Sequence, residues 1–408
     1  MDFIDIITIL ITLAALFSYL NYRFFHLPNT IGLMLCGLIM SLCLIALGPI
    51  DTSVKTDAAR IIQSIDFNNL LLHGMLSFLL FAGALHININ DLLEQKWVIS
   101  SLATVGIILS TFMVGGFAWI ILDILNSQAP FIYCLLFGAL ISPTDPVAVL
   151  AILKVTSTPD SLKAKIAGES LFNDGIGVVL FIVLLEITAG GGEMRLWTVV
   201  QIFAQEALGG IAFGLCIGWI AYRMLKKVDN YQVEVLITLS LVMGGYALAN
   251  ALHISGPLAI VVAGLLIGNH GRAFAMSDVT RDHLDKFWEL MDEIMNAVLF
   301  VLIGLEIVVL TLTAKYILAG ILMIPLVLFA RLLSVGIPVA FLKLKRQFSP
   351  KVVRILTWGG LRGGISVALA LSLPPGPGPY REVVLAMTYI VVVFSILVQG
   401  LTIKKLVQ

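Results

Sequence analysis

The feature that most constrains this chain is a repeated one. Apolar runs of about 20 residues follow one another from end to end, separated by short polar connections. A helix of that length crosses the hydrocarbon core of a bilayer, and a succession of such runs has little else to bury them against. The charge content agrees. Only 12% of the 408 residues are charged and 59% are hydrophobic, where a soluble domain carries roughly 25% charged residues. A mean hydropathy of +1.03 points the same way. The chain therefore reads as an all-α polytopic membrane protein, and a soluble enzyme is excluded. Its 25 basic and 25 acidic residues balance, so no global field selects a nucleic acid as partner. Cys36, Cys43, Cys134 and Cys216 lie in apolar runs without metal-ligand spacing and read as small membrane residues.

The runs predict thirteen spans, near 5–22, 30–48, 68–87, 97–122, 130–150, 163–188, 197–222, 231–252, 256–270, 287–311, 315–341, 352–373 and 382–403. The start, Met-Asp-Phe-Ile-Asp, lacks the basic region of a cleavable signal, so the first run is expected to be a retained span. Most basic residues fall in connections after odd-numbered spans, among them Arg23, Lys96, Lys163, Lys226, Lys227, Arg272 and Lys345, or in the C-terminal Lys404 and Lys405. Connections after even-numbered spans hold Lys55, Arg60, Arg195, Lys315 and Arg381. The positive-inside rule then places the N-terminus outside and the C-terminus in the cytoplasm, with the protein in the inner membrane. The expectation is one transmembrane domain over 1–408 with no cytoplasmic regulatory domain.

Two basic residues, Arg331 and Arg362, remain inside spans, and an intramembrane charge is a functional candidate by default. The fifth span carries Ser142-Pro143-Thr144-Asp145-Pro146. Two prolines three residues apart remove helix hydrogen bonds and push the residues between them toward extended backbone. In lipid, such a break survives only where it is buried in protein or lines a cavity. It frees carbonyls, that of Thr144 included, and leaves half-helix ends whose dipoles Asp145 is placed to compensate. A plain proline kink would need no aspartate there.

The sixth span opens with Gly168-Glu169-Ser170-Leu171-Phe172-Asn173-Asp174-Gly175. Glu169 and Asn173 share one helix face, as do Ser170 and Asp174. Asn173 is thus expected to hold the Glu169 carboxylate. Hard cations take oxygen ligands, so the Asp174 carboxylate, the Ser170 hydroxyl and the Thr144 carbonyl make a candidate Na+ site. The alternative, an ion pair that only holds the bundle, suits Glu169 but not Asp174, which has no basic neighbour in its own span.

The twelfth span reads Gly359-Gly360-Leu361-Arg362-Gly363-Gly364. Glycines around a buried arginine weaken the helix and admit close backbone approach. Arg362 needs a buried anion, and Glu169 or Asp145 is expected to supply it; a Glu169–Arg362 bridge would tie span six to span twelve. The interrupted spans are each fifth in a six-span block, one to six and eight to thirteen, with span seven as linker. Paired interruptions of this kind point to a transporter built from inverted repeats. The repeats are placed at about 1–190 and 231–408, with the linker at about 197–222.

These three strings, with Phe81-Ala82-Gly83-Ala84-Leu85-His86 in span three, resemble bacterial sodium/proton antiporters of cation:proton antiporter family 1, the NhaP type. The resemblance covers the whole membrane domain. It implies a thirteen-span homodimer with an interface domain and a moving six-helix core domain. It places the family's Asn-Asp pair on Asn173 and Asp174, and its ion-bridging glutamate and arginine on Glu169 and Arg362. It also implies exchange of one cation for one proton, with no cofactor beyond the transported ions. The expected partners are Na+, Li+ or K+, protons, membrane lipid and a second copy of the chain.

Other signals carry less. Most of the six histidines lie at span ends, where interfacial solvation accounts for them. Gly210, Gly214 and Gly218 form a small-residue stripe suited to a dimer interface or to internal packing. Glu186, Glu206, Glu234 and Glu306 read as span-end or bundle-facing residues. The charge-dense 276–293 stretch reads as a solvated loop and helix start, or as a cation-attracting mouth. Three functions compete. A Na+/H+ antiporter, with a K+/H+ antiporter of the same fold behind it, uses every buried polar group above. An intramembrane aspartyl protease with Asp145 and Asp174 as dyad needs neither broken helices nor a buried arginine. A passive channel would want a ring-like filter, and none is visible.

Overall fold

In the computed structural model, the residues described are 3–47, 59–62, 65, 67, 69–127, 129–147, 149–150, 160–189, 196–272, 275–344, 348, 351–374 and 380–407. The principal helices are α1 (Phe3–Leu20), α2 (Asn29–Leu47), α3 (Leu76–Leu85), α4 (Ile107–Ile124), α5 (Phe131–Ile141), α6 (Asp160–Ala189) and α7 (Leu196–Leu225). They continue with α8 (Tyr231–Ala251), α9 (Gly256–Leu266), α10 (Asp278–Glu306), α11 (Ala314–Lys343), α12 (Val352–Trp358), α13 (Gly364–Leu371) and α14 (Tyr380–Phe394). Among the described residues extended backbone pairs once, in an isolated antiparallel bridge between Asp145 and Leu361.

Eight of the described helical stretches are long and apolar enough to cross a membrane, and shorter apolar helices lie at Leu70–Leu85, Phe131–Ile141 and Gly256–Gly271. The protein is thus a multi-pass membrane protein. Each of the thirteen predicted stretches contains helix. Those outside the eight are short, broken in the middle, or polar at one end, so length and composition alone do not count them as crossings.

Helix starts follow local chemistry. Asn230 accepts hydrogen bonds from the Gln232 and Val233 amides at the head of α8, at 3.0 and 3.3 Å. Ser255, followed by a proline in the first turn, caps α9, and Ser277 and Thr313 cap α10 and α11. Each side-chain oxygen satisfies an amide that has no partner inside its helix. The Ser277 cap marks where the charge-dense stretch becomes helix. From Asp278 onward it is the expected helix start, the head of α10, a continuous 29-residue helix, and little of it is loop. Arg281 pairs with Asp278, and Lys286 with Asp282 at 2.6 Å; the Lys286 hydrogen bond holds the Asp282 carboxyl below its ordinary value. Arg272 pairs with Asp285 and ties the chain after α9 to α10.

The helices pack in two groups. One joins α1, α2, α3, α8, α9 and α10; the other joins α4, α5, α11, α12, α13 and α14. Helix α6 touches members of both, and α7 packs along α9 and α8. The glycine stripe of α7 serves this internal contact. A Cβ at Gly214 would strike the Ala259 backbone, and one at Gly218 would lie 3.1 Å from the Ala263 Cα. Cys36 and Cys134 are buried free thiols, while Cys43 and Cys216 are exposed free thiols on apolar helices. His26 and His253 adopt left-handed backbone, His26 as the cap after Asn21–Phe25 and His253 just past α8. The His73 side chain lies outside what the structure describes.

Candidate functional site

Both predicted interruptions are present, and they meet. Helix α5 ends at Ile141, the chain runs non-helically through 142–146, and helix resumes at Val147. Helix α12 ends at Trp358 and α13 begins at Gly364. The two breaks cross, with the Asp145 amide donating to the Leu361 carbonyl at 2.8 Å. One backbone donor freed by a break thus finds its acceptor in the other break, which is how unwound chain survives at membrane depth.

Four half-helix ends converge on this crossing, and charged side chains of the opposite sign meet them. The Asp145 carboxylate accepts from the Val147 amide at 2.9 Å, at the head of the resumed helix. It also lies against Gly363, at the head of α13, where a Cβ would collide with Asp145 Oδ2. Arg362 donates through Nη1 to the carbonyls of Ser142 and Pro143, at 2.5 and 2.9 Å, at the bare end of α5. Arg331, on α11, donates through Nη2 to the Leu356 carbonyl at 3.3 Å, in the last turn of α12. The glycines of the second break therefore have separate duties. Gly360 leaves room for Arg331, since a Cβ there would sit 2.6 Å from Nε; Gly363 leaves room for Asp145, and Gly364 for Leu299.

Two expected contacts are corrected. Glu169 pairs with Arg331, at 2.6 Å between Oε1 and Nη1, and not with Arg362. Arg362 sits in the break itself, so its guanidinium reaches the carbonyls that the prolines leave bare, with Glu169 in electrostatic reach but not in an ion pair. Arg331 approaches from α11 on the side that Glu169 faces. Asn173 likewise does not hold Glu169. Its Nδ2 donates to Thr144 Oγ1 at 2.7 Å, and its Oδ1 accepts from the Thr144 amide at 3.3 Å. The break strips that amide of its helical acceptor, and a side-chain carbonyl nearby replaces it.

Of the remaining candidates, Thr144 and Ser170 meet. Thr144 Oγ1 is 3.2 Å from Ser170 Oγ, so it is the Thr144 hydroxyl that meets the α6 face. Thr144, Ser170, Asn173 and Glu169 are all buried, as is Asp174 at 7% exposure. Asp174 follows Ser170 by one turn of α6. Among the described residues it makes no hydrogen bond or ion pair, and Asp145 is the charge within electrostatic reach of it. The site thus offers one carboxylate and two hydroxyls, hard oxygens of the kind an alkali cation takes. Sequence reasoning missed the polar residues that brace the crossing. Ser142 Oγ donates to Ser110 Oγ at 2.8 Å, the Arg362 amide donates to Ser395 Oγ at 2.9 Å, and Gln399 donates to the Trp358 carbonyl at 2.9 Å. Their signal was a polar residue in mid-run, weaker than a charge.

The family described as sodium/hydrogen exchanger, transmembrane, matches residues 10–408. The chain belongs to this family. Among curated relatives, the exchanger is 49% identical to the Na(+)/H(+) antiporter NhaP of Pseudomonas aeruginosa, over 99% of this chain and 96% of that one. It is 36% identical to the Na(+)/H(+) antiporter NhaH of Halobacillus dabanensis, over 93% of this chain and 91% of that one. Its fold matches the structure of the sodium proton antiporter MjNhaP1 from Methanocaldococcus jannaschii at pH 8, with a TM-score of 0.79 and 21% identity, covering 100% of this chain and 99% of that one.

Proposed function

We propose that this exchanger carries Na+, and Li+ with it, in exchange for H+ across the cytoplasmic membrane, one for one and by alternating access. The observation that carries the reading is Asp174, a buried carboxylate whose side chain has no hydrogen-bond or ion-pair partner among the described residues, beside the crossing of two broken helices. A lone carboxylate at membrane depth is too costly to leave charged, so a proton or a cation must neutralise it. Competition for that one group couples the two fluxes. Ser170 and Thr144 would complete the cation's oxygen shell. Asn173 positions Thr144, while Asp145, Glu169, Arg331 and Arg362 hold the crossing. The names of the two relatives support sodium as cargo. In this reading the chain spans thirteen times as two inverted repeats, with its N-terminus outside and its C-terminus in the cytoplasm, and works as a homodimer. The test is dissipation of a pH gradient in proteoliposomes by Na+, Li+ and K+ in turn. Response to Na+ and Li+ supports the reading, and response to K+ alone would make the exchanger a K+/H+ antiporter.

Exchange is expected to be electroneutral. One carboxylate that swaps one Na+ for one proton moves no net charge, and Asn173 cannot carry a second proton. Asp145 is held between two helix heads, Arg331 is paired with Glu169, and Arg362 donates to the Ser142 and Pro143 carbonyls, so none of them is free to take a cation. A potential imposed with potassium and valinomycin should leave Na+-driven proton flux unchanged for either sign. A strong dependence would mean a second proton site.

A further inference from the structure

Away from the crossing, an open cavity of about 430 Å3 lies where the end of α3, the connection after it, the residues past α9 and the head of α10 come together. His86, Asn88, Asn90, His270, Arg272 and Arg281 give it its polar lining, and no carboxylate is among the described residues that line it. Its walls are fixed by printed contacts between distant segments. Gly268 lets the chain past α9 touch the end of α3, since a Cβ there would strike the Leu85 carbonyl. Asn269 then clamps the connection. Its Nδ2 donates to the Ile87 and Leu265 carbonyls at 3.0 and 2.8 Å, and its Oδ1 accepts from the Ile89 amide at 2.8 Å. The His86 ring is held by Nδ1, which donates to the Ala82 carbonyl at 2.8 Å.

Arg272 donates through Nη2 to Asp285, and Arg281 through Nη2 to Asp278. Neither aspartate lines the cavity. A guanidinium carries five donors, so one carboxylate contact leaves most of each fork unused. Arg272 Nε is buried and has no hydrogen-bond partner among the described residues, and a buried donor is costly to leave unmade. Two guanidinium groups repel a cation, so this cavity is unsuited to the transported ion. They suit an anion with several oxygens, because the planar fork matches phosphate geometry. The volume falls within the roughly 300–1,000 Å3 of small-molecule sites. The cavity lies at helix ends, on the side that the orientation proposed above makes cytoplasmic, where both lipid phosphates and dissolved phosphate esters can reach it. We infer that this cavity binds a phosphate-bearing anion, with Arg272 and Arg281 as its principal ligands. An occupant would tie the connection between α3 and α4 to the ends of α9 and α10, and α3 and α4 belong to different packing groups.

The test is the thermal transition of purified, delipidated exchanger in neutral detergent. It is titrated with inorganic phosphate, with glycerol 3-phosphate and with short-chain phosphatidic acid, and short-chain phosphatidylcholine is used to subtract the effect of acyl chains. A saturable rise is expected, and its concentration dependence gives an apparent Kd. Arg272→Gln should raise that Kd about tenfold or more, as for loss of a charged hydrogen-bond donor. Arg281→Gln should raise it by roughly threefold, because its fork is the more exposed of the two. Asp278→Asn, which releases Arg281 from its partner, should lower it by a similar roughly threefold factor. A merely structural role for the arginines would move the transition of the ligand-free protein and leave these Kd values alone. Saturation by the dissolved phosphates identifies a soluble anion, saturation by phosphatidic acid alone identifies a lipid headgroup, and either supports the site. No saturable rise with any probe, or a Kd unchanged in both glutamine variants, overturns it. If Arg272→Gln does not fold, Arg281→Gln and Asp278→Asn carry the test, and a Kd equal to the parent's in both overturns the site. No transport is measured, so the result stands apart from the antiport reading.

Discussion

Asp174→Asn is expected to abolish Na+-driven proton flux while leaving the exchanger folded. The substitution keeps size and shape and removes the one group that alternates between proton and cation. Asparagine cannot be protonated at any relevant pH, and it offers an alkali ion one carbonyl in place of a full negative charge. Stability should hold, because Asp174 makes no hydrogen bond or ion pair among the described residues that the change could strand. Removing an unpaired buried charge relieves desolvation. Flux should fall to the level of protein-free liposomes, a loss of at least about a hundredfold, as for removal of a group that acts on the transported ion itself. The thermal transition in detergent should match the parent. Transport at the parent rate would remove Asp174 from the mechanism. An unfolded variant would show that the carboxylate has a partner that the structure does not reveal, and Asp174→Glu would then separate charge from fit.

Much of this site was legible because its chemistry is written in residues that have few other uses in a bilayer. Pro143 and Pro146 cannot continue a helix, and Gly359 to Gly364 barely can, so both breaks were placed from sequence. That the breaks pair through the Asp145 amide and the Leu361 carbonyl follows once each is known to be unsatisfied. The choice of partner among buried charges was less legible. Glu169 had two arginines to choose from, and the spacing on α6 says which face it occupies but not which neighbouring helix presents a guanidinium there. Arg331 was visible as a buried charge, yet its approach from α11 depends on packing between distant segments. Helix periodicity assigns Asn173 to a neighbour on its own helix, whereas the stronger demand comes from the Thr144 amide across the gap. The start of α10 shows a different limit. Hydropathy finds where a helix is in lipid, whereas the Ser277 cap and the ion pairs of the first turns extend the same helix into water. Such an extension leaves no hydrophobic trace.

The pairing that the structure shows makes the second large effect. Arg331→Ala is expected to destabilise the exchanger by about 3–5 kcal/mol, the usual result of stranding one member of a buried pair. Glu169 would then lose its ion-pair partner at 1% exposure, and the last turn of α12 would lose the donor to the Leu356 carbonyl. Arg331→Lys should recover little, since a single ammonium cannot reach both Glu169 and that carbonyl as the guanidinium fork does. Adding Glu169→Ala to Arg331→Ala should restore part of the loss, with a coupling of about 1–3 kcal/mol between the two positions. The Arg362 cycle separates this geometry from the bridge that spacing first suggests. Arg362→Ala should also destabilise, because the Ser142 and Pro143 carbonyls lose their donor, but its coupling to Glu169→Ala should be clearly weaker than that of Arg331→Ala. Thermal and denaturant unfolding in detergent would read both cycles. Strong coupling of Glu169 to Arg362, and none to Arg331, would mean that the working exchanger holds its crossing by a different pair from the one seen here.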